Sequence, residues 1–392
     1  MTKIETLIKE LCPQGIPFRK ISDLGYFYGG LSGKSKADFV NGNAAFISYK
    51  NIYSNPSLDI HPEDRVSIQH GEKQNIIQYG DILFTGSSET PDECAISSVV
   101  CEVPNESLYL NSFCFGLRLS SIKEFDLDFL KHYFRSHEFR VHATKCANGV
   151  TRFNVSKKLL SEIAIPVPPL YVQHEIASIL NSFSTLKAEL SAELSARKQQ
   201  YDYYRNQLLT FDESKVDSFQ LSRVAQVCRG TRVVKNQLTD QGYPVFQNCL
   251  TPMGYFDKTN CPASTPFVIC GGAAGNVGYT NVDCWAADDC EYIKCSEKLN
   301  SKYLYHLLIQ KQKYLQSQVR KASIPRLSPN ILKNLYIPVP SIDEQLRIVL
   351  ILDKFESIIA DISTGIPAEI NAVEQQYEYY RNVLLDFERA DT

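Results

Sequence analysis

Gly33-Lys34-Ser35 has the ending of a phosphate-binding loop. Such a loop cradles phosphates on backbone N–H groups and needs Gly-x-x-x-x-Gly-Lys-Ser. Tyr28 stands where the first glycine belongs, and Asn41-Gly42-Asn43 interrupts any helix that would follow. Gly271-Gly272-Ala273-Ala274-Gly275 lacks both Gly-x-Gly-x-x-Gly spacing and a Gly-Lys-Ser, so it reads as a tight loop. Pro91-Asp92 has no Glu-x-Lys at a distance usable by a metal-dependent nuclease, and Pro168-Pro169 lies between Val167 and Leu170, unlike a methyltransferase tetrapeptide. There is no Gly-x-Ser-x-Gly and no His-Glu-x-x-His. The 12 cysteines include no Cys-x-x-Cys pair, and the tightest group, Cys284, Cys290 and Cys295, has no histidine beside it. They read as reduced, mostly buried thiols, with no metal site. No catalytic residue emerges, and no cofactor is expected in this chain.

What remains suits nucleic-acid binding. Several loops mix basic, amide, hydroxyl and glycine residues. In the first half they offer Lys34 and Lys36, Lys50 and Asn51, Ser87 and Ser88, and then Lys145, Asn148, Thr151 and Arg152. In the second half they offer Arg229, Thr231, Arg232 and Lys235, Gln247 and Asn248, Asn276, and then Lys321 and Arg326. Arg and Lys hold phosphates or read guanine, and Asn and Gln read adenine with a donor and an acceptor at once. A net charge of −3 hides this, because basic runs such as Lys311 to Arg326 are separated from acidic ones such as Asp343 to Asp361. Segregated surfaces suit a protein with both a DNA partner and protein partners.

These loops must be positioned by a repeat. Gln199–Phe211 (QQYDYYRNQLLTF) and Gln375–Phe387 (QQYEYYRNVLLDF) agree at 10 of 13 positions, at an offset of 176. Upstream, Ile165-Pro166-Val167-Pro168 matches Ile337-Pro338-Val339-Pro340 at an offset of 172; Gln173, Ile176, Leu180 and Phe183 then match Gln345, Ile348, Leu352 and Phe355. Three loop regions align more weakly: residues 148–153 with 322–327, the segment from Gly80 with that from Pro266, and the segment from Phe46 with that from Val245. The order is variable domain, helical segment, variable domain, helical segment. Connectors that stay alike beside domains that drift apart imply one shared task and two different targets.

Val172 to Leu209 has no internal Gly or Pro and can form one helix of 38 residues, roughly 57 Å long. Its apolar residues, among them Phe183, Leu190 and Tyr204, keep 3- and 4-residue steps, as do Leu346, Phe355, Ile359, Ile362 and Tyr380 in the second segment. Two such stripes should pair as an antiparallel coiled coil. Four extra residues around Ser363-Thr364-Gly365-Ile366-Pro367 should break or kink the second helix. The globular parts interleave strand-like runs (Ala44–Ser48, Asp81–Thr85, Phe113–Leu119) with short helices (Leu127–Phe139, Lys302–Gln316), the pattern of α/β or α+β domains. Residues 1–168 and 213–340 are thus the two recognition domains, and 169–212 and 341–392 the helical regions. Ile4, Leu7, Ile8 and Leu11 recur at helical spacing without the apolar core of a secretory signal, and nothing is apolar for the ~18 residues of a membrane span. A cytoplasmic protein is expected.

The opening LIKELCPQGIPFRKISDLGYFYGG, the pair IPVPPLYVQHEIASIL and IPVPSIDEQLRIVLIL, and the pair RKQQYDYYRNQLLTF and GIPAEINAVEQQYEYYRNVLLDF resemble the specificity subunits of type I restriction–modification systems. The resemblance covers the whole chain in the order domain, helix, domain, helix. It implies two target-recognition domains, each reading one half of a split, asymmetric DNA site, with the helices as a ruler for the gap. It also implies two docked modification subunits that use S-adenosylmethionine to methylate adenine, and restriction subunits that use ATP and Mg. Gln173, Glu175, Tyr204, Arg205, Glu344, Gln345, Tyr380 and Arg381, at matching places in the two helical regions, would then dock those partners. Only the second region carries Gly365-Ile366-Pro367, so the two ends need not dock alike. Three other readings stand beside this one: the specificity subunit of a bipartite type II system, a coiled-coil scaffold that binds only proteins, and a single-chain enzyme.

Overall fold

In a computed structural model, residues 3–321 and 323–389 are described, without the side chains of Lys3, Glu5 and residues 359–364. Ala322 and the side chains of Ile359, Asp361, Ile362, Ser363 and Thr364, which figure in the sequence reading, thus lie outside the described residues. The chain forms two compact units, Met1–Leu190 with Ala368–Thr392 (unit 1) and Ser191–Pro367 (unit 2).

Unit 1 begins with helix α1 (Lys3–Leu11), which ends just before Pro13. Its main sheet holds four antiparallel strands, β1 (Gly25–Gly29), β2 (Ile82–Thr85), β3 (Ser97–Val99) and β4 (Cys114–Leu119), in the order β1-β4-β2-β3. All four residues of β2 are buried, as befits a strand covered on both faces. Helix α2 (Leu127–Tyr133) is capped by Asp126, whose side chain accepts from the Asp128 and Phe129 N–H groups. A second sheet pairs Ala44–Ile47 in parallel with Leu108–Leu110. The long helix α3 (Leu170–Leu208) follows the Ala164–Pro166 strand.

Unit 2 repeats this plan. Strands β5 (Ala225–Arg229), β6 (Thr265–Ile269), β7 (Val277–Thr280) and β8 (Cys290–Cys295) form a sheet in the order β5-β8-β6-β7. Tyr243–Phe246 pairs in parallel with Trp285–Ala286. Helix α4 (Ser301–Gln310) is capped by Asn300 as α2 is by Asp126. The second long helix, α5, spans Ile342–Leu384. Both units are α+β, the mixed fold class expected from the sequence.

The long helices pair within each unit. In unit 1 Phe183 of α3 stacks on Tyr380 of α5 at 5.4 Å between ring centroids. One turn on in α3, Lys187 donates to Glu374 at 2.7 Å, six residues back along α5, so the two run antiparallel. In unit 2 the same pair of residue types recurs: Tyr204 of α3 stacks on Phe355 of α5 at 5.3 Å. Helix α1 also joins unit 1's core, where Ile4 is buried with Leu384 and Leu385.

The expected break in the second helix is not found: α5 is continuous and carries Pro367 inside it. Proline's fixed φ is itself helical, so its cost is one lost hydrogen bond and local crowding, and the helix continues through it. Four added residues also make little more than one turn of 3.6 residues. The insertion therefore nearly restores the phase of the stripe and need not be expelled as a loop.

Candidate nucleic-acid interface

In unit 1 a small antiparallel sheet of Ala147–Asn148, Phe153–Val155 and Ser87–Ser88 holds the 148–153 loop. Gly149 turns that loop at φ 147°, where an added Cβ would lie 2.0 Å from the Arg152 carbonyl oxygen. Asn148, Thr151 and Arg152 are exposed at the tip and Lys145 at its base. The Arg152 guanidinium lies over the Phe113 ring, 5.2 Å from its centroid, and no carboxylate pairs with it among the described residues.

Unit 2 closes the equivalent loop differently. Arg326 makes backbone bridges to both Arg320 and Gly271, and Leu327 donates to the Cys270 carbonyl at 2.9 Å. The Arg326 guanidinium pairs with Asp289 at 3.2 Å yet stays 58% exposed. Lys321, Arg229, Thr231, Arg232, Lys235 and Asn248 are exposed, and Gln247 is half-buried. The Asn276 carboxamide accepts from Gln316 at 2.9 Å and is partly used by that bond.

Other sequence candidates do not face outward. The Lys34 ammonium donates to Glu72 and to the Ser67 carbonyl, each at 2.6 Å, and its side chain is 7% exposed. That bond in turn helps hold the Glu72 carboxyl down at about 2. Asn51 spends its amide on the Asp59 carbonyl and its oxygen on Asn55 and the Asp59 N–H. Ser87 and Ser88 are buried, and Ser88 donates to Glu93. In this structure these four act as internal supports, Lys34, Asn51 and Ser88 through their own hydrogen bonds and Ser87 through burial. Lys36 and Lys50 remain exposed.

Among the docking candidates, Gln173 and Gln345 are fully buried. Gln173 accepts from the Asp126 N–H at 2.8 Å and donates to the carbonyls of Glu124 and Pro168 at 3.0 and 2.7 Å. Gln345 does the same with the Asn300 N–H and the Lys298 and Pro340 carbonyls, at 2.8, 3.0 and 2.9 Å. Each amide clamps a long helix to its own domain, so neither is free for a partner. Arg205 folds back over Tyr201 and bonds Asp202, and Arg381 folds over Tyr377 and bonds Glu378; both side chains are mostly buried. Tyr204 and Tyr380 stack on the neighbouring long helix within their units but keep about two-fifths of their surface, 37% and 40%. Glu344 bonds Arg347 on the surface at 2.7 Å, and Glu175 is half-buried.

A second recurring feature escaped sequence reading. His132 of α2 is buried, its Nε2 2.9 Å from Asn181 Oδ1 and its Nδ1 2.9 Å from the Tyr377 hydroxyl. Asn181 donates its amide to Asp128, so its oxygen accepts from the histidine and Tyr377 donates to Nδ1. Burial pushes the His132 pKa down to about 4. In unit 2 His306 of α4 takes the same place, with Asp353 2.9 Å from Nε2. His306, Asp353 and Glu356 lie close enough to suggest a metal. However, the Lys302 ammonium sits 3.7 Å from Asp353 and 3.2 Å from Glu356, filling the place a cation would take. No catalytic constellation is assembled among the described residues.

Two domains of one plan, each carrying its own loop set and locked by a buried glutamine to paired long helices, define a duplicated DNA-specificity architecture. The family model "Type I restriction modification DNA specificity domain" matches residues 13–197 and again 213–372, and the chain belongs to that family. It is similar to the EcoR124I/EcoR124II type I restriction enzyme specificity subunit of Escherichia coli, at 32% identity over 61% of this chain and 66% of that one. It is also similar to the EcoprrI specificity subunit of Escherichia coli, at 26% identity over 93% and 92%. The crystal structure of a type I restriction–modification S subunit from M. genitalium shares the fold with a TM-score of 0.55 at 17% identity, over 95% of this chain and 96% of that one. No helix among the described residues is long and apolar enough to cross a membrane.

Proposed function

We propose that this chain supplies the address of a type I restriction–modification complex and none of its chemistry. The supporting observation is that two domains with the same strand order carry different loops on the same helix-anchored frame. One frame with two loop sets suits a reader of two unlike half-sites. The DNA-facing residues would be Lys36, Lys50, Lys145, Asn148, Thr151 and Arg152 in unit 1. In unit 2 they would be Arg229, Thr231, Arg232, Lys235, Gln247, Asn248, Asn276, Lys321 and Arg326. Two modification subunits would dock on the helical regions, with Glu175, Glu344 and the exposed edges of Tyr204 and Tyr380 as contacts. S-adenosylmethionine, ATP and Mg would be held by the modification and restriction subunits, in the cytoplasm.

The test is single-molecule sequencing of adenine methylation in cells expressing this chain with its neighbouring modification subunit, against that subunit alone. A split motif that is methylated on both strands, and only with this chain, is expected. Absence of any motif with an active modification subunit would favour a protein-binding scaffold.

A further inference from the structure

The two sheets differ at one place, which borders a cavity in unit 2. Register aligns them residue by residue: Gly29 faces Phe115 and Phe84 faces Phe115 in unit 1, while Arg229 faces Glu291 and Val268 faces Glu291 in unit 2. Phe27 likewise corresponds to Val227, since they pair with Leu117 and Ile293, two residues beyond Phe115 and Glu291 on their strands. Unit 1 fills this position with an aromatic cluster. Phe115 lies 5.4 Å from both Phe27 and Phe84, centroid to centroid. Unit 2 has valine, valine and glutamate there; the valines pack in its core, and Glu291 lines a cavity of about 370 Å³ with Cys270, Asp288, Asp289 and three arginines, Arg229, Arg320 and Arg326.

Among the described residues, two carboxylates on the cavity wall each keep one oxygen outside any hydrogen bond. Glu291 is 3% exposed, and its Oε2 is buried with no hydrogen-bond partner among the described residues; Asp288 Oδ1 is in the same state. A buried acceptor left unpaired is costly, and a ligand that donates to it would offset that cost. Burial pushes the Glu291 carboxyl up, against the pull of Lys333 and Arg229, the cations nearest it. Cys270, on the cavity wall, is held as a neutral thiol by burial and the nearby carboxylates, at about 12. The cavity also lies under the loop that carries Arg326, since Leu327 donates to the Cys270 carbonyl.

We propose that this cavity is a base-reading site, in which Glu291 accepts a hydrogen bond from the exocyclic amino group of a target adenine or cytosine while Arg229 and Arg320 at its mouth hold the adjoining phosphates. The inference rests on the DNA-reading function proposed above. A carboxylate can only accept, so it favours a base presenting an amino group over one presenting a carbonyl at that point. Unit 1 has no such carboxylate, because Phe115 stands at the place of Glu291.

The experiment is methylation sequencing with wild-type chain, Glu291→Gln and Val268→Phe, each with the modification subunit, alongside thermal midpoints of the purified complexes. A glutamine both donates and accepts. Glu291→Gln should therefore relax one position of one half-site, raising methylation of sites with G or T there about tenfold, with the other half-site unchanged. Val268→Phe puts a ring beside Glu291, its partner across the strands, and should weaken or abolish reading of that same half-site in a folded complex. An unaltered motif in Glu291→Gln overturns the site. Should Glu291→Gln fail to fold, an unaltered motif in folded Val268→Phe overturns it instead. If the wild type itself yields no split motif, the DNA-reading function falls first and the site with it.

Discussion

At the scale of single residues, the buried histidines give a dependence on pH. His132 titrates at about 4 in the folded chain because burial opposes its charge, and an unfolded histidine near 6.5. Between those values the unfolded chain binds a proton that the folded chain does not, so stability falls as pH falls from about 6.5 to about 4. The loss from His132 should approach roughly 3 kcal/mol at the acid end. Denaturant titrations of the purified chain at pH 7 and pH 4.5 check this. His132→Gln should flatten part of the difference, and an equal fall in the variant would remove His132 as its source. His306, also lowered by burial, contributes in the same direction from unit 2.

At the scale of elements, the joint between helix and domain carries the strongest expectation. A glutamate at 173 or 345 would turn a carboxylate toward two carbonyl oxygens that now receive an amide donor. Gln173→Glu should therefore destabilise unit 1 by about 3 kcal/mol, and more than Gln173→Ala, since a buried unpaired charge outweighs a lost hydrogen bond. Calorimetric midpoints of the two variants would show the order; equal midpoints would mean that the clamp does not hold the domain. The sequence announced this glutamine by its recurrence at 172 residues but could not say which way it faced. The long helices were legible because their apolar steps run for ten turns. Pro367 does not end the helix, because its fixed φ is itself helical and the inserted residues make close to one turn. The correspondence of Glu291 with Phe115 was invisible, because the strands that carry them share little beyond their first cysteine and only register aligns them.

At the scale of the whole molecule, the loops of the two units should make independent contributions to DNA affinity. Among the described residues Arg152 has no acidic partner, whereas Arg326 is tied to Asp289 and partly neutralised. Arg152→Ala should weaken DNA binding by the assembled complex about tenfold at moderate salt and reduce the slope of log affinity against log salt by about one. Arg326→Ala should act in the same direction with a smaller effect, because its guanidinium is already shared with Asp289. Filter binding over a salt series would reveal both. Unchanged affinity and slope would take these loops out of the interface.

The glutamine joint has a consequence for heredity. Its bonds reach only main-chain atoms of the recognition domain: an N–H at 126 or 300, and carbonyls at 124 or 298. Every amino acid offers those carbonyls, and every one but proline the N–H, so mutation can rewrite the domain's side chains without the joint registering the change. Lineages that inherit such a seam can alter what each half of the molecule reads while its mounting on the helix stays intact.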